Sequence, residues 1–356
     1  MTTNVLAGQS VKFWWTATRP TALVQSLSPY ILGAVMAMSS LAYTHASLNA
    51  WITGVIMAVV GFAGVALAHS GLNLFDDYFD SRVGAVKARK EMENGGMRAR
   101  MGKCTYLDTT NVTLSDTKRI ATLFVVFACV LGAAILVFRG WPILIFAAIA
   151  FVLGIAYAGP PLRLSYHGLG ELVVGFIFGP LVVCAAYFVT AGTLTMQAVY
   201  VSIVAGLLVA NILNAHAVMD YGPDSAANRK TFSILLGSEH RGFIACVVMV
   251  IASYVVVALG IALGVLPIAS AIVIVTLPMA VTFVHSLRRY VDDKSAGREG
   301  AEFVPKAWMG PFGAWPRVQA SGIAWFMERW LLARNLTMMM TILLAIASLT
   351  PWYVVW

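Results

Sequence analysis

Charge is what this sequence has least of. Only 11% of its 356 residues are Asp, Glu, Lys or Arg, against roughly a quarter in ordinary soluble domains, and that scarcity excludes the soluble globular classes. Cysteine is scarce too. Cys104, Cys129, Cys184 and Cys246 form no CxxC pair and have no histidine cluster beside them, so neither a disulfide framework nor a thiolate metal site is indicated. A cleavable signal peptide is not expected either: the first 20 residues hold Lys12 and Arg19, lack an early apolar core, and lead into a run too long for one.

Apolar side chains fill the space that charge leaves. Hydrophobic residues make up 60% of the chain and the mean hydropathy is +0.81. A spanning helix takes about 20 such residues. Runs near 21–43, 51–73, 119–138, 141–158, 171–190, 198–218, 241–264, 266–287 and 336–356 therefore give nine candidate helices. The expectation is an all-α polytopic membrane protein, with nine transmembrane helices around a central cavity and residues 1–356 forming a single domain.

The net charge of +8 is mostly a topology signal. Connections near 44–50, 191–197 and 264–266 contain no Lys or Arg, whereas 80–118, 219–240 and 288–335 hold most of them. With the N-terminus in the cytoplasm, every Lys and Arg except Arg139 falls inside, as the positive-inside rule requires, and nine spans leave the C-terminus outside. A nucleic-acid partner, which needs a basic face on a soluble surface, is not expected. Segments 81–117 and 288–335 are longer than ordinary connections, and such loops tend to be lids or disordered. Within the second, Ala324 to Leu332 reads as an amphipathic helix at the interface or as a surface helix under the loops.

The few acidic residues are clustered. Asn73-Leu74-Phe75-Asp76-Asp77-Tyr78-Phe79-Asp80 ends the second run, and at 100° per residue Asn73, Asp77 and Asp80 share one face with Asp76 at its edge. An all-oxygen set suits Mg²⁺ rather than zinc or copper. Alone, the cluster reads equally as a solvated helix end. A second cluster, Asp220-Tyr221-Gly222-Pro223-Asp224, ends the sixth run and is followed by Asn228-Arg229-Lys230-Thr231. Two acidic sites on one side, interleaved with Arg82, Arg163 and Lys230, fit a diphosphate held through divalent metal. Pro223 disfavours helix at Gly222, so the helix is expected to end near Asp220 and a new turn to start at Pro223, with the two aspartates not one turn apart.

These residues carry a resemblance. Asn73 to Asp80 resembles N-L-x-N-D-Y-x-D, and Asp220 to Thr231 resembles D-x-x-x-D-x-x-x-G-K-x-T, the two motifs of the UbiA superfamily of intramembrane prenyltransferases. Arg19-Pro20 also matches. The tract Tyr157 to Glu171, with Phe178-Gly179-Pro180, is similar to that of 1,4-dihydroxy-2-naphthoate polyprenyltransferases, and the likeness covers roughly residues 12–287. Asp76 stands where the family usually has a second Asn, Asn228 where it usually has Gly, and Val86 where a further Asp is usual.

The resemblance implies Mg²⁺-dependent transfer of a polyprenyl group from its diphosphate to an aromatic quinone precursor at a plasma (inner) membrane, with the site facing the cytoplasm. The acceptor it favours is 1,4-dihydroxy-2-naphthoate, in menaquinone biosynthesis. The metal ligands are then Asn73, Asp76, Asp77, Asp80, Asp220 and Asp224, of which Asp77, Asp80, Asp220 and Asp224 are catalytic. Arg82, Arg163 and Lys230 go to the diphosphate, with Arg19 and Tyr157 in the pocket. Other acceptors of the superfamily (4-hydroxybenzoate, homogentisate, haem or lipid) and a cation transporter are the alternatives. A transporter expects charge near the bilayer midplane, and here both clusters sit at helix ends. Glu171, at a helix start, suits a structural role. His69, His167, His216 and His285 read as hydrogen-bonded helix histidines or as acid–base groups.

Overall fold

The computed structural model describes residues 9–82, 106–107, 110–226, 228–293 and 303–350. Among them every regular element is helical. A short α1 (Val11–Ala17) leads through a 3₁₀ turn, Pro20–Ala22, into α2 (Val24–Tyr43). Next come α3 (Leu48–Arg82), α4 (Leu114–Arg139) and α5 (Pro142–Ala158). The fifth run is one span, Gly170–Ala191, made of α6 (Gly170–Phe176), a π turn (Ile177–Leu181) and α7 (Val182–Ala191). Then follow α8 (Met196–Met219), α9 (Tyr221–Ala226), α10 (Phe232–Leu235) and α11 (Glu239–Ala262). A 3₁₀ stretch, Ile268–Thr276, precedes α12 (Leu277–Asp292), and α13 (Trp315–Ala320) precedes α14 (Ala324–Ala347).

Eight of these helices are long and apolar enough to cross a membrane; Pro142–Ala158, at 17 residues, is shorter. Their starts follow from the sequence. Ser10, Thr195 and Ser238 cap the helices they precede, and Thr113 with Asp116 closes a capping box on α4, each such cap stabilising a helix start by about 1 kcal/mol. Outward residues of α4 and α5 such as Val126, Phe127, Val130, Phe151 and Val152 are exposed apolar surface, as lipid contact requires. The core centres on α8, whose Val204, Leu208, Ile212, Ala215 and Val218 pack in one cluster with Phe283 and Leu287 of α12 and Phe326, Leu332 and Leu336 of α14.

Two departures from regularity tighten the bundle. Pro180 lacks an N–H and sits in the π turn, the usual device for absorbing a proline inside a helix. There Gly179 lies so close to α8 that a Cβ would meet the Gly206 Cα at 2.3 Å, a backbone approach that small residues alone allow. On the opposite end of the bundle from the acidic clusters, Arg139 donates from Nε to the Val189 carbonyl and from Nη2 to the Thr190 carbonyl, both at 2.6 Å. The one basic residue expected on the outer side thus caps the C-terminus of α7.

The last helix corrects the sequence reading. It begins at Ala324 rather than 336, so Ala324 to Leu332 is neither an interfacial nor a surface helix but the first half of a buried one. Its charges are consumed inside the bundle. Arg329 donates from Nε to the Ser286 carbonyl at 2.9 Å and from Nη1 to the Trp325 carbonyl, and lies over the Tyr290 ring. Ser286 donates to Glu328, and Arg334 donates to the Pro311 carbonyl at 2.7 Å. Hydropathy reads three such charges as loop. Residues 351–356, and most of 81–117, lie outside the described residues.

Candidate active site

At about 1.5 Å per residue the 35-residue α3 is longer than the ~30 Å hydrocarbon core, and its last turns are its polar ones. The first acidic cluster sits on those turns. Asp77 and Asp80 are 1% and 3% exposed, and Asp76 is half-buried. They are buried because the turn after α1 folds onto them. Arg19, in the left-handed conformation at φ 58, donates from Nη2 to the Asn73 carbonyl at 2.7 Å and pairs with Asp77 at 3.1 Å and Asp76 at 3.6 Å. The Asn73 amide returns the bond, donating to the Thr18 carbonyl at 2.9 Å.

The second cluster is built on a helix break. α8 ends at Met219 with Asp220 as its C-cap, and α9 starts at once, the Asp224 N–H donating to the Asp220 carbonyl at 2.8 Å. The helix therefore stops where Pro223 says it should, but the two aspartates are one turn apart after all. Pro223 falls in the first turn of α9, where an N–H has no intrahelical partner to lose. Asp220 and Asp224 are buried, and His216 lies 3.0 Å from Asp220.

Arg229 joins the two clusters. Its N–H donates to the Asp224 carbonyl at 2.9 Å, Asn228 before it turns the chain at φ 57, and the guanidinium lies over the Tyr166 ring. Tyr166 in turn donates to Asp80 at 2.6 Å. Burial alone would lower the Arg229 pKa, but Asp224, Asp80, Tyr157 and Asp76 together raise it above the ordinary arginine value. Glu171, buried at the start of α6, accepts the Phe232 N–H at 3.2 Å and so holds the segment that carries Arg229. Tyr106 donates to Asp77 at 3.3 Å.

The residues predicted from sequence divide accordingly. Asn73, Asp76, Asp77, Asp80 and Arg19 come together at one end of α3; Asp220 and Asp224 come together beyond α8; Tyr157 falls within electrostatic reach of Arg229. Lys230 is exposed, and its contribution is a backbone N–H to the Tyr166 carbonyl at 3.3 Å. Arg82 is exposed and turns to Tyr78, 3.4 Å from its hydroxyl. Arg163 is half-buried in the left-handed conformation. Val86 lies outside the described residues. Sequence reasoning missed Arg229, Tyr166 and Tyr106. For Arg229 a signal was present: counting from Asp224, it and not Lys230 occupies the Lys place of D-x-x-x-G-K.

Among the described residues no three acidic, histidine or cysteine side chains stand close enough to form a metal site by themselves. The donor set is nevertheless all oxygen, and Asp76, Asp77, Asp80, Asp220 and Asp224 outnumber the two guanidiniums placed among them. Such a site fits Mg²⁺, which takes few protein ligands and completes its shell with water and phosphate oxygens.

Residues 26–303 match the UbiA prenyltransferase family. The chain belongs to that family. This prenyltransferase is 27% identical over 286 residues to a 2-carboxy-1,4-naphthoquinone phytyltransferase of Synechocystis, covering 79% of the chain and 84% of the relative. It is 27% identical over 228 residues to a 1,4-dihydroxy-2-naphthoate octaprenyltransferase of Bacillus subtilis, covering 64% and 66%. In fold it is similar to a UbiA homolog from Archaeoglobus fulgidus bound to GPP and Mg²⁺, with TM-score 0.53, 17% identity, and 88% and 97% of the two chains covered. A digeranylgeranylglyceryl phosphate synthase gives TM-score 0.55 at 15% identity, covering 94% and 98%.

Proposed function

We propose that this prenyltransferase moves a polyprenyl group from its diphosphate to 1,4-dihydroxy-2-naphthoate, with Mg²⁺, in menaquinone biosynthesis. One observation carries the reading: the Arg229 segment meets both acidic motifs, its N–H donating to the Asp224 carbonyl and its guanidinium lying over the Tyr166 ring, whose hydroxyl bonds Asp80. Two acidic motifs with a cation between them suit a polyanion bound through metal. The naphthoate acceptor rests on the names of the relatives above.

Asn73, Asp77, Asp80, Asp220 and Asp224, with Asp76 beside them, would hold Mg²⁺, which when bound draws charge from a leaving diphosphate. Arg19 and Arg229 bind and orient the diphosphate where negative charge develops as the allylic C–O bond breaks. Tyr157 and Arg163 complete that side. Arg229 takes the inner place that spacing alone gave to Lys230, and Lys230 and Arg82 serve as outer cations. Tyr166 keeps Asp80 in register with Arg229. The apolar helices exclude water from the allylic cation until the ring attacks.

The arrangement we infer is one domain of nine spans around a cavity in the plasma membrane, with the N-terminus and the site on the cytoplasmic side and the C-terminus outside. The test uses purified protein in lipid, labelled polyprenyl diphosphate, and Mg²⁺ or EDTA. Product with the naphthoate and Mg²⁺ alone supports the reading. Product with 4-hydroxybenzoate or homogentisate instead moves the acceptor, and none with any ring overturns the assignment.

A further inference from the structure

One buried polar side chain near the site has no part in binding diphosphate. His69 lies on α3 one turn before Asn73, on the face shared by Asn73 and Asp80, about 6 Å further into the apolar layer. It is 6% exposed. Ser26 of α2, fully buried, places Oγ 2.7 Å from its Nδ1, and that hydroxyl is also 3.1 Å from the Leu23 carbonyl. In the tautomer in which the serine proton goes to the carbonyl, the one this proposal uses, the imidazole donates from Nδ1 and Nε2 is an acceptor. Among the described residues Nε2 has no hydrogen-bond partner. Phe178, in the π turn, flanks the imidazole with ring centroids 4.7 Å apart and planes inclined by 32°.

A histidine fixed at one nitrogen, open at the other, and flanked by an aromatic ring below an anion site is built for a small aromatic molecule with a hydroxyl group. We propose that His69 is an acceptor-binding residue: Nε2 accepts a hydrogen bond from a ring hydroxyl of the aromatic substrate and holds that ring one helical turn beneath the diphosphate. The inference rests on the prenyl-transfer reading and names the group that selects the acceptor. A hydroxylated ring supplies the partner that Nε2 lacks among the described residues.

The test compares wild type, His69→Ala, His69→Gln and Ser26→Ala in lipid nanodiscs. Steady-state kinetics are run with each substrate varied, and binding of 1,4-dihydroxy-2-naphthoate is titrated without diphosphate. His69→Ala is expected to raise both the acceptor KM and its Kd about tenfold, the value of one buried hydrogen bond, with the KM for polyprenyl diphosphate unchanged. His69→Gln, whose amide reaches the place of Nε2, recovers part of the loss, and Ser26→Ala shifts acceptor binding the same way by a smaller factor. Unchanged acceptor binding in His69→Ala, or equal loss for both substrates, overturns the inference while wild-type turnover leaves the function standing. If His69→Ala does not fold, His69→Gln and Ser26→Ala decide by the same KM split. A wild type that neither binds nor prenylates any aromatic ring removes both.

Discussion

The two acidic clusters reach the same site by opposite means. The first lies on an unbroken helix: Asn73, Asp76, Asp77 and Asp80 are placed by α3 alone, and a single turn carrying Arg19 covers them. The second lies where a helix stops. Asp220 is a cap, Asp224 belongs to the next helix, and Arg229 follows a left-handed residue. Periodicity therefore aligns the carboxylates of the first cluster, although Arg19, Tyr106 and Tyr166 reach them from elsewhere in the chain. The second depends on local backbone turns and on contacts with Tyr166 and Glu171 from elsewhere in the chain.

The comparison is broken most directly by removing one carboxylate from each side. Asp77→Ala and Asp224→Ala are each expected to lower prenyl transfer by about 10³-fold or more while the protein still inserts, measured as Mg²⁺-dependent product in lipid. An intact rate in either variant would show that its cluster is structural. A sharper cut is between neighbours. Arg229→Ala should cost about 10²-fold in kcat/KM for the polyprenyl diphosphate, and Lys230→Ala, at an exposed side chain, less than about threefold. The reverse order would return the inner place to Lys230. Tyr166→Phe, which removes a hydrogen bond to the charged Asp80, is expected to cost about tenfold in the same parameter. Smallest of all is Pro223→Ala, which should change thermal unfolding by less than about 0.5 kcal/mol, because the first turn of α9 loses nothing to proline.

Much of this was legible in the amino-acid order. Eight of the apolar runs became helices long enough to span, and the 100° step placed Asn73, Asp77 and Asp80 together without any structure. What escaped was whatever depends on partners. Arg329 and Arg334 look like loop residues until Ser286, Tyr290 and Pro311 are known to receive them. Tyr166 reads as an ordinary aromatic until it is found beside Asp80, 86 positions away in sequence. Pro223 signals both the end of α8 and a new start, but not that α9 begins at Tyr221 and so keeps Asp220 and Asp224 one turn apart. Spacing and hydropathy are local, and each of these residues is defined by something distant.

The buried charges of α14 bear on how the molecule is assembled. A segment carrying Glu328, Arg329 and Arg334 would be costly to leave alone in hydrocarbon, yet in the finished bundle Ser286 and Tyr290 of α12 and the carbonyl of Pro311 receive them. The helix is thereby tied to α12, which supplies partners for two of its three charges. A bundle without the Ser286 and Tyr290 side chains would leave the Glu328 carboxylate and the Arg329 guanidinium without two of the groups that receive them.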